Sequence, residues 1–432
     1  MTWSHRYQIR SCLRSSLWII PLIAVVLELF LAHGVHVLDD RLQWSGANLG
    51  ISGAQALCNA VVTLTLSFIV FTFGSLLVAI QVASGQYTPR IIATTLLRNN
   101  VIRYTVGLFV FTFLFALKAL NRLEVQVHQL VVFVTGILGL ASLVVFLFLI
   151  DYAARMLRPV SLVQRVGEAG LDVLKSVYPE TIAADEASSP TPPARGDCAR
   201  TVLNQGASAI VLTVNTQLLS AAAESSGGVI EFAPQVGDFV GTDEPLFHLY
   251  GGAQKLTDDY LRGLVVFGSE RTIEQDPLFA FRILADIAIK ALSKAINDPT
   301  TAVLAIDQLQ RLLRNAGLRN LRSDYLYDRA GNLRVIFRTP DWNNFIDLTF
   351  TEIRFYGAEN MQITRRLRAM IVNLIETLPT VRHRRLEQQL ALLDRMNDRL
   401  YVFPEELALA KTPDSQGLGG AVHPGISPAP AS

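Results

Sequence analysis

ALCNAVVTLTLSFIVFTFGSLLVAIQVA, the segment from Ala56 to Ala83, decides the class of this protein because it contains no charged residue. A helix rises about 1.5 Å per residue, so this segment exceeds the roughly 30 Å hydrocarbon thickness of a bilayer. Three further apolar segments flank it: Leu17–Leu38, Tyr104–Leu120 and Leu130–Ile150. The sequence therefore predicts four membrane-spanning helices in the first third of the chain and a large non-membrane region after them.

Arginine residues near the ends of these segments predict the orientation of the chain. They lie in the N-terminal arm, in the loop after the second segment and after the fourth: Arg6, Arg10, Arg14, Arg90, Arg98, Arg103, Arg155, Arg158 and Arg165. Because basic residues concentrate on the cytoplasmic side, we expect both termini and the C-terminal region in the cytoplasm. The first apolar segment comes after several arginines, as the apolar part of a signal peptide does. No small-residue cleavage pattern comes after it, so we expect an uncleaved helix.

The overall composition excludes some classes of partner and site. A formal net charge of +1 over 432 residues gives no reason to expect binding to nucleic acid. The cysteines, Cys12, Cys58 and Cys198, lie far apart in the sequence. We therefore expect neither a disulfide framework nor a cysteine metal site.

The fold class predicted is a membrane α-helical part of four spans followed by a cytoplasmic α+β region. Composition divides the chain into a transmembrane domain (1–160), an amphipathic connector and flexible loop (161–200), a small β-rich subdomain (201–255), a mainly helical domain (256–411) and a disordered tail (412–432). The loop is indicated by Ala, Ser and Pro between Ala183 and Gly196, and the tail by Gly, Pro and Ser.

The β-rich subdomain contains GGVIEFAPQVGDFVGTDEPLFHLY (Gly227–Tyr250), in which short apolar runs alternate with turn residues. This phrase resembles half of a biotinyl or lipoyl barrel-sandwich module, and the resemblance implies a small barrel-sandwich-like β part. The carrier function of that module needs a lysine on an exposed hairpin, and this segment has none before Lys255. We expect the architecture without the carrier chemistry, and no cofactor.

Helical patterns dominate the remainder. Apolar residues fall on one face of Pro277–Ser293, and Asn297-Asp298-Pro299 predicts a second helix, with Asp298 as its cap and Pro299 in its first turn. A strand is predicted at Leu333–Arg338. Helices are then predicted near Trp342–Tyr356, Asn360–Leu378 and Arg382–Leu400.

Three phrases together resemble one family. They are FTFGSLLVAIQVASGQYTPR (Phe71–Arg90), VGDFVGTDEPLFHL (Val236–Leu249) and FGSERTIEQDPLFAFRILADIAIKALSKAINDPTTA (Phe267–Ala302). They are similar to the bacterial predicted-membrane-protein family called domain of unknown function 2254, although that family usually has Ser-Pro where this chain has Ser293-Lys294. The resemblance implies a bacterial inner (plasma) membrane protein with four spans and a cytoplasmic α+β region, and it implies no reaction.

The second span carries small and weakly polar residues on one helix face: Thr65, Phe68, Thr72, Ser75 and Ala79. This stripe either lines a water-filled pore in an oligomer, with Thr65, Thr72, Ser75 and Ala79 as the lining, or lets helices pack closely. The span exit is also polar, with Gln81, Ser84, Gln86, Tyr87 and Arg90. It is either a gate or anion-coordinating mouth, or a helix end at which Pro89 stops the helix and Arg90 contacts lipid phosphate.

Glu28 is the acidic residue well inside a predicted span. Since an ionised carboxylate in hydrocarbon is costly, Glu28 is a candidate proton or ion site, unless a tilted helix places it near the interface. Lys118 lies near the outer end of the third span, where it can extend to the interface, and we assign it no role.

Polar residues around two predicted helix starts form a candidate ligand site: Glu270, Arg271, Asp286, Asn297, Asp298 and Thr300. They either bind a cation or a small polar ligand, or cap helices and form ion pairs. A further group is basic and is expected to form a surface that is solvated or contacts lipid head groups or an anionic ligand: Arg365, Arg366, Arg368, Arg382, Arg384 and Arg385.

No catalytic or nucleotide-binding motif is present in the sequence. Its Gly-rich phrases lack the Lys-Ser/Thr or GxGxxG spacing, no nucleophile motif occurs, and the histidines lack metal-ligand spacing, so we expect no enzyme activity and no metal. The leading hypothesis is a homo-oligomeric channel gated by the cytoplasmic region. The alternatives are a membrane-anchored binding or scaffold protein and a secondary transporter that uses Glu28. The expected partners are the lipid bilayer, copies of the chain, and a small polar or ionic ligand.

Overall fold

The structure is a computed structural model that describes residues 3–16, 18–42, 49–86, 100–123, 128–156, 158–182, 197–321 and 324–420. It forms two compact units. The membrane-helix unit comprises residues 11–85 and 89–162, and the α+β unit comprises residues 1–10, 86–88 and 163–432.

Four long apolar helices make up most of the membrane-helix unit. After α1 (Trp3–Ser15) they are α2 (Ile19–Leu42), α3 (Ile51–Gln86), α4 (Asn100–Arg122) and α5 (Gln129–Met156). Each contains a stretch that is long and apolar enough to cross a membrane. The four predicted spans are therefore confirmed as helices that could cross a membrane, and the helices extend past the apolar runs because no proline interrupts the polar residues at their ends.

Small residues allow the helices of this unit to approach one another closely. A Cβ atom at Gly139 of α5 would lie 2.6 Å from Cγ2 of Val61 in α3. On α5, Ser142 donates a hydrogen bond to Thr112 of α4 over 3.1 Å between the hydroxyl oxygens. Glycine and serine in α5 therefore serve packing between spans, as the small residues of membrane helices commonly do.

The α+β unit is entered through the amphipathic helix α6 (Pro159–Val177). Its Gly170 lies so close to Ala280 that an added Cβ would come within 2.8 Å of the Ala280 side chain. This contact packs the second half of α6 against the helix that contains Ala280. The predicted connector is thus an ordered helix up to Val177, and the predicted loop 183–196 lies outside the described residues.

Two open sheets form the β part of this unit. Their strands are β1 (Cys198–Leu203), β2 (Ala209–Val214), β3 (Gly228–Gln235), β4 (Phe239–Val240), β5 (Pro245–Gly251), β6 (Val265–Gly268), β7 (Tyr325–Tyr327) and β8 (Leu333–Arg338). One sheet has the order β1-β5-β3-β8-β7 and the other has the order β4-β2-β6. β3 pairs antiparallel with β5 and parallel with β8, while the remaining pairs are antiparallel.

The predicted barrel-sandwich-like part does not take the form of a closed barrel. β8, which comes from the segment predicted to be mainly helical, occupies the free edge of β3. The Gly227–Tyr250 phrase therefore contributes strands to both open sheets instead of closing on itself. The apolar residues predicted there do form a core with the short helices α7 (Thr216–Ser226) and α8 (Asp258–Arg262), in which Ile230, Phe247 and Val335 are buried.

Helices complete the α+β unit. They are α9 (Pro277–Ala291), α10 (Pro299–Gly317), α11 (Trp342–Tyr356), α12 (Met361–Thr377), α13 (His383–Leu400) and α14 (Pro404–Ala410). Asp298 caps α10 as predicted, because its carboxylate accepts a hydrogen bond from the backbone N–H of Thr301 over 3.1 Å. Residues 412–420, the first part of the predicted disordered tail, lie against α12, and 421–432 lie outside the described residues.

The arginines of α12 do not form the basic surface predicted from the sequence. Arg365 is 1% exposed, and its guanidinium donates to the backbone carbonyls of Thr412, Gly419 and Gly420. Arg366 and Arg368 are also buried and pair with acidic residues of α10 and α13. The prediction of a solvated face was wrong for these arginines because carboxylates and backbone carbonyls distant in sequence fold over them. Of the rest of the group, Arg384 is exposed, whereas Arg382 and Arg385 are half-buried.

Candidate functional sites

The polar stripe of α3 is buried within the membrane-helix unit. Thr65 and Thr72 are almost inaccessible, and their hydroxyls donate to the carbonyls of Val61 and Phe68 over 2.7 and 2.6 Å. Ser75, which is half-buried, donates to the carbonyl of Thr72 over 3.0 Å. Ala79 is buried as well. The hydroxyl groups of the stripe therefore have acceptors in their own helix and side chains packed around them. A pore lining in an oligomer stays a prediction.

The predicted gate lies mostly outside the described residues. Gln81 is exposed at the end of α3. Ser84 and Gln86 lie in the last turns of that helix, but their side chains are outside the described part of the chain, as are Tyr87 and Arg90 entirely. The gate or anion-coordinating mouth therefore stays a prediction.

Glu28 of α2 lies beside Lys118 of α4. The carboxylate is 3% exposed, and its Oε1 lies 3.8 Å from the Lys118 ammonium nitrogen. The sequence analysis did not predict this contact of Lys118 with a buried carboxylate, and a functional role for Glu28 stays a prediction. An opposite charge is what a carboxylate within a membrane requires. The sequence did contain a signal for this contact, because one acidic and one basic residue lie inside two different apolar segments.

A second charged contact lies at the end of α2. Asp39 is buried, accepts a hydrogen bond from the backbone N–H of Leu130 over 3.3 Å, and lies 3.5 Å from Nδ1 of His128. The carboxylate thus joins the end of α2 to the start of α5. These two contacts account for the burial of Asp39 without a functional role.

In the α+β unit, Arg271 lies beside the buried cap of α9. Its Nε donates to the carbonyl of Gly237 over 2.8 Å. Asp276 is 4% exposed; one carboxylate oxygen accepts from the N–H of Phe279 over 3.1 Å, and the other has no hydrogen-bond partner in the described residues. Burial raises the pKa of Asp276 to about 6, although the nearby positive charge of Arg271 opposes this rise.

Asp276 borders a small cavity of about 110 Å³, whose polar walls include Thr216, Gln235 and Thr339. Gln275, which also lines it, is engaged by β2: its side chain accepts from the hydroxyl of Thr213 and from the N–H of Val214. The cavity has room for a few water molecules or a small ion, and one carboxylate oxygen to hold it.

The predicted ligand site does not come together as one cluster. Asp286 forms an ion pair with Arg282 of the same helix, which also pairs with Glu352. Asp298 is used as a helix cap. Asn297, with a positive φ of 48°, Thr300 and Glu270 are exposed. Arg271 is the member that lies near a buried acid, which is Asp276 instead of Asp286 or Asp298. Ligand binding by this set stays a prediction.

A groove of about 590 Å³ between α11 and α13 was missed from the sequence. Its lining residues are Thr351, Glu352, Arg354, Phe355, Tyr356, Leu392, Arg395, Met396 and Arg399. Arg395 and Arg399 lie one helical turn apart on α13, which was the available sequence signal. Arg354 comes from another helix, and only the fold brings it to the same groove.

Comparisons with known proteins agree with the membrane helices. The profile of the predicted membrane protein family DUF2254 matches residues 14–373. Uncharacterised proteins of Mycobacterium bovis and of Mycobacterium tuberculosis strain H37Rv are each 25% identical to this chain over 454 residues, which covers 99% of this chain and 85% of the relative. No solved structure matches. The chain therefore belongs to the DUF2254 family of predicted membrane proteins.

Proposed function

We propose that this protein is a membrane-anchored binding protein, in which the four helices hold an α+β region at the membrane and that region binds a ligand or a partner. The basic residues around the spans support placing this region in the cytoplasm of a bacterium, at the inner membrane. The absence of catalytic motifs from the sequence supports a role other than that of an enzyme.

The single observation that carries this proposal is the burial of the polar stripe in α3. A water path needs polar groups that face a lumen, whereas Thr65 and Thr72 are buried and bond to their own helix. The exposed faces of the spans are instead apolar, as at Val70 and Leu77 of α3 and Leu140 of α5. Such faces suit contact with lipid chains, which is what an anchor requires.

A secondary transporter is the second candidate, and the Glu28–Lys118 contact favours it. Ionisable pairs inside a membrane mark many ion and proton pathways. This candidate predicts that Glu28→Gln abolishes transport of an ion or solute. An anchored binding protein predicts that the same variant changes stability without changing any flux.

The homo-oligomeric channel predicted from the sequence is kept as the third candidate. It needs the stripe residues, or the polar exit of α3, to face water in an assembly of several copies. Reconstitution of the full-length protein in liposomes tests it, with ion flux as the readout. The matched variants are Thr72→Leu with Ser75→Leu in the stripe, and Ser67→Leu on the exposed side of α3 as the control.

An anchor predicts no flux above that of empty liposomes for the wild type and for every variant. Flux through the wild type that is lost in the stripe variant but kept in Ser67→Leu would overturn the proposal in favour of the channel. Loss of flux in Glu28→Gln alone would favour the transporter.

A further inference from the structure

The groove between α11 and α13 contains positive charges that no acidic residue neutralises within the described part of the chain. Arg354 lies in the last turn of α11, and Arg395 and Arg399 lie on the facing side of α13. The one acid of the groove, Glu352, is engaged by Arg282. Of the three acids of α13, Asp394 pairs with Arg368, Asp398 pairs with Lys411, and Glu387 does not line the groove.

This arrangement is electrostatically unfavourable for the empty protein. Arg395 and Arg399 are like charges four residues apart, a spacing that destabilises a helix. Burial, followed by the charge of Arg395, lowers the pKa of Arg354. The Arg354 Nε atom is buried without a hydrogen-bond acceptor in the described residues. The helix dipole favours a cation at the end of α11 and favours Arg399 in the last turn of α13, but it gives no reason for Arg395.

The same groove has an apolar and aromatic side. Phe355 is 76% exposed and Tyr356 is 50% exposed, and their rings meet edge to face with centroids 5.6 Å apart. Leu392 and Met396 of α13 contribute further apolar surface. A volume of about 590 Å³ lies within the usual range of small-molecule sites, roughly 300–1,000 Å³.

We propose that this groove binds a small phosphate-bearing ligand, with the phosphate contacted by the arginines and the organic part lying on Phe355 and Tyr356. Arginine suits this role because its planar guanidinium donates paired hydrogen bonds to phosphate oxygens. A doubly charged phosphate also offsets the repulsion among the three arginines, which a singly charged carboxylate does less well. The inference rests on the proposed binding role of the α+β unit, and it gives that role a site and a ligand class.

Two sources supply this chemistry, a soluble phosphorylated metabolite and the head group of an anionic lipid. The aromatic pair favours the metabolite, because a planar ring such as a nucleobase stacks on exposed aromatic side chains. Three probes separate the sources: pyrophosphate, ADP, and short-chain dihexanoyl phosphatidylglycerol. The first carries phosphate alone, the second adds a planar ring, and the third adds a lipid backbone.

The experiment is titration calorimetry on the full-length protein in an uncharged detergent. The test variant is Arg395→Gln with Arg399→Gln. The control is Arg384→Gln with Arg329→Gln, which removes the same charge from exposed positions that do not line the groove. Thermal melting of each variant in the absence of ligand verifies that the α+β unit is folded.

We expect ADP to bind more tightly than pyrophosphate or the lipid, and we expect the test variant to weaken ADP binding by about a hundredfold, or roughly tenfold for each arginine. The control variant should change the affinity by less than threefold. The proposal is overturned if no probe binds the wild type, or if the test and control variants lose affinity equally. If only the lipid probe binds, the proposal of a soluble metabolite is overturned, and the ligand of the groove is a lipid head group. None of these outcomes depends on the flux measurements, so the proposal of a membrane anchor is tested independently.

Discussion

Two groups of three arginines in neighbouring helices of the α+β unit have opposite surroundings. On α12, Arg365, Arg366 and Arg368 are buried, and each has carbonyl or carboxylate partners. Across α11 and α13, the arginines of the groove line one cavity in which the one acid, Glu352, pairs with Arg282. The difference shows that the number of arginines in a segment does not identify a binding site. What separates the two groups is whether the arginines have partners, and the proposed phosphate site rests on that difference.

The largest expected effect comes from the best-partnered arginine. Arg365→Ala removes a buried cation and leaves the carbonyls of Thr412, Gly419 and Gly420 without a donor. We expect the free energy of unfolding of the α+β unit to fall by about 3 kcal/mol. Denaturant unfolding of the full-length protein measures this change. A loss below about 0.5 kcal/mol would mean that this arginine is not structural.

The same variant should release the segment 412–420 from α12. Limited proteolysis provides a second readout, because a released segment is cut faster than one held by hydrogen bonds. Arg384→Ala, at an exposed position of α13, serves as the control and should leave both stability and proteolysis unchanged.

A buried charge with an incomplete set of partners should make stability depend on pH. The pKa of Asp276 is about 6 in the folded protein, against an ordinary value of 3.8. Since the folded state holds the proton more tightly, the group's contribution to stability is present below the ordinary pKa and is lost as pH rises to about 6. We expect Asp276 to lower the free energy of unfolding by roughly 2 kcal/mol between pH 4 and pH 7. Unfolding across this range, with Asp276→Asn as the comparison, measures it; equal slopes for both proteins would contradict the prediction.

A smaller effect is expected for a partly exposed ion pair. Arg366 is buried, but its partner Asp307 is 44% exposed, and the Arg366 Nε lies 2.9 Å from the Asp307 carboxylate oxygen. A double-mutant cycle with Arg366→Met and Asp307→Asn should give a coupling energy of about 1 kcal/mol. A coupling near zero would place Arg366 with the arginines that lack an effective partner.

The smallest effect on stability is expected in the groove. Arg395→Ala removes no salt bridge and relieves repulsion by Arg354 and Arg399. The free energy of unfolding without ligand should change by less than about 0.5 kcal/mol, and in the stabilising direction. A loss above about 1 kcal/mol, measured by denaturant unfolding, would show that Arg395 is structural and would remove the contrast between the two groups.

Much of the architecture could be predicted from local patterns. The four spans follow from apolar runs with at most one charged residue each, and the start of α10 follows from Asp298 and Pro299, because hydropathy and capping act over a few neighbouring residues. The parallel pairing of β3 with β8 could not be predicted in this way. It depends on residues about a hundred positions apart, and the barrel-sandwich resemblance of Gly227–Tyr250 contained no signal for it.

The sites were harder to predict than the spans for the same reason. Glu28 was identified from its charge, but Lys118 became its partner only through the contact between α2 and α4. The prediction of a basic surface on α12 was wrong because backbone carbonyls accept hydrogen bonds from Arg365. Every residue has such a carbonyl, so the sequence does not show which of them will lie near an arginine. The groove needs Arg354 from one helix and Arg395 from another, so composition alone gives no indication of it.

Native mass spectrometry of the full-length protein, released from its own membrane in a mild detergent, tests the central claim most directly. An anchored binding protein with a phosphate site predicts a small phosphorylated compound retained by the wild type, and its loss from the Arg395→Gln, Arg399→Gln variant without a change in copy number. A closed ring of several copies that carries no small molecule, in wild type and variant alike, would contradict the account.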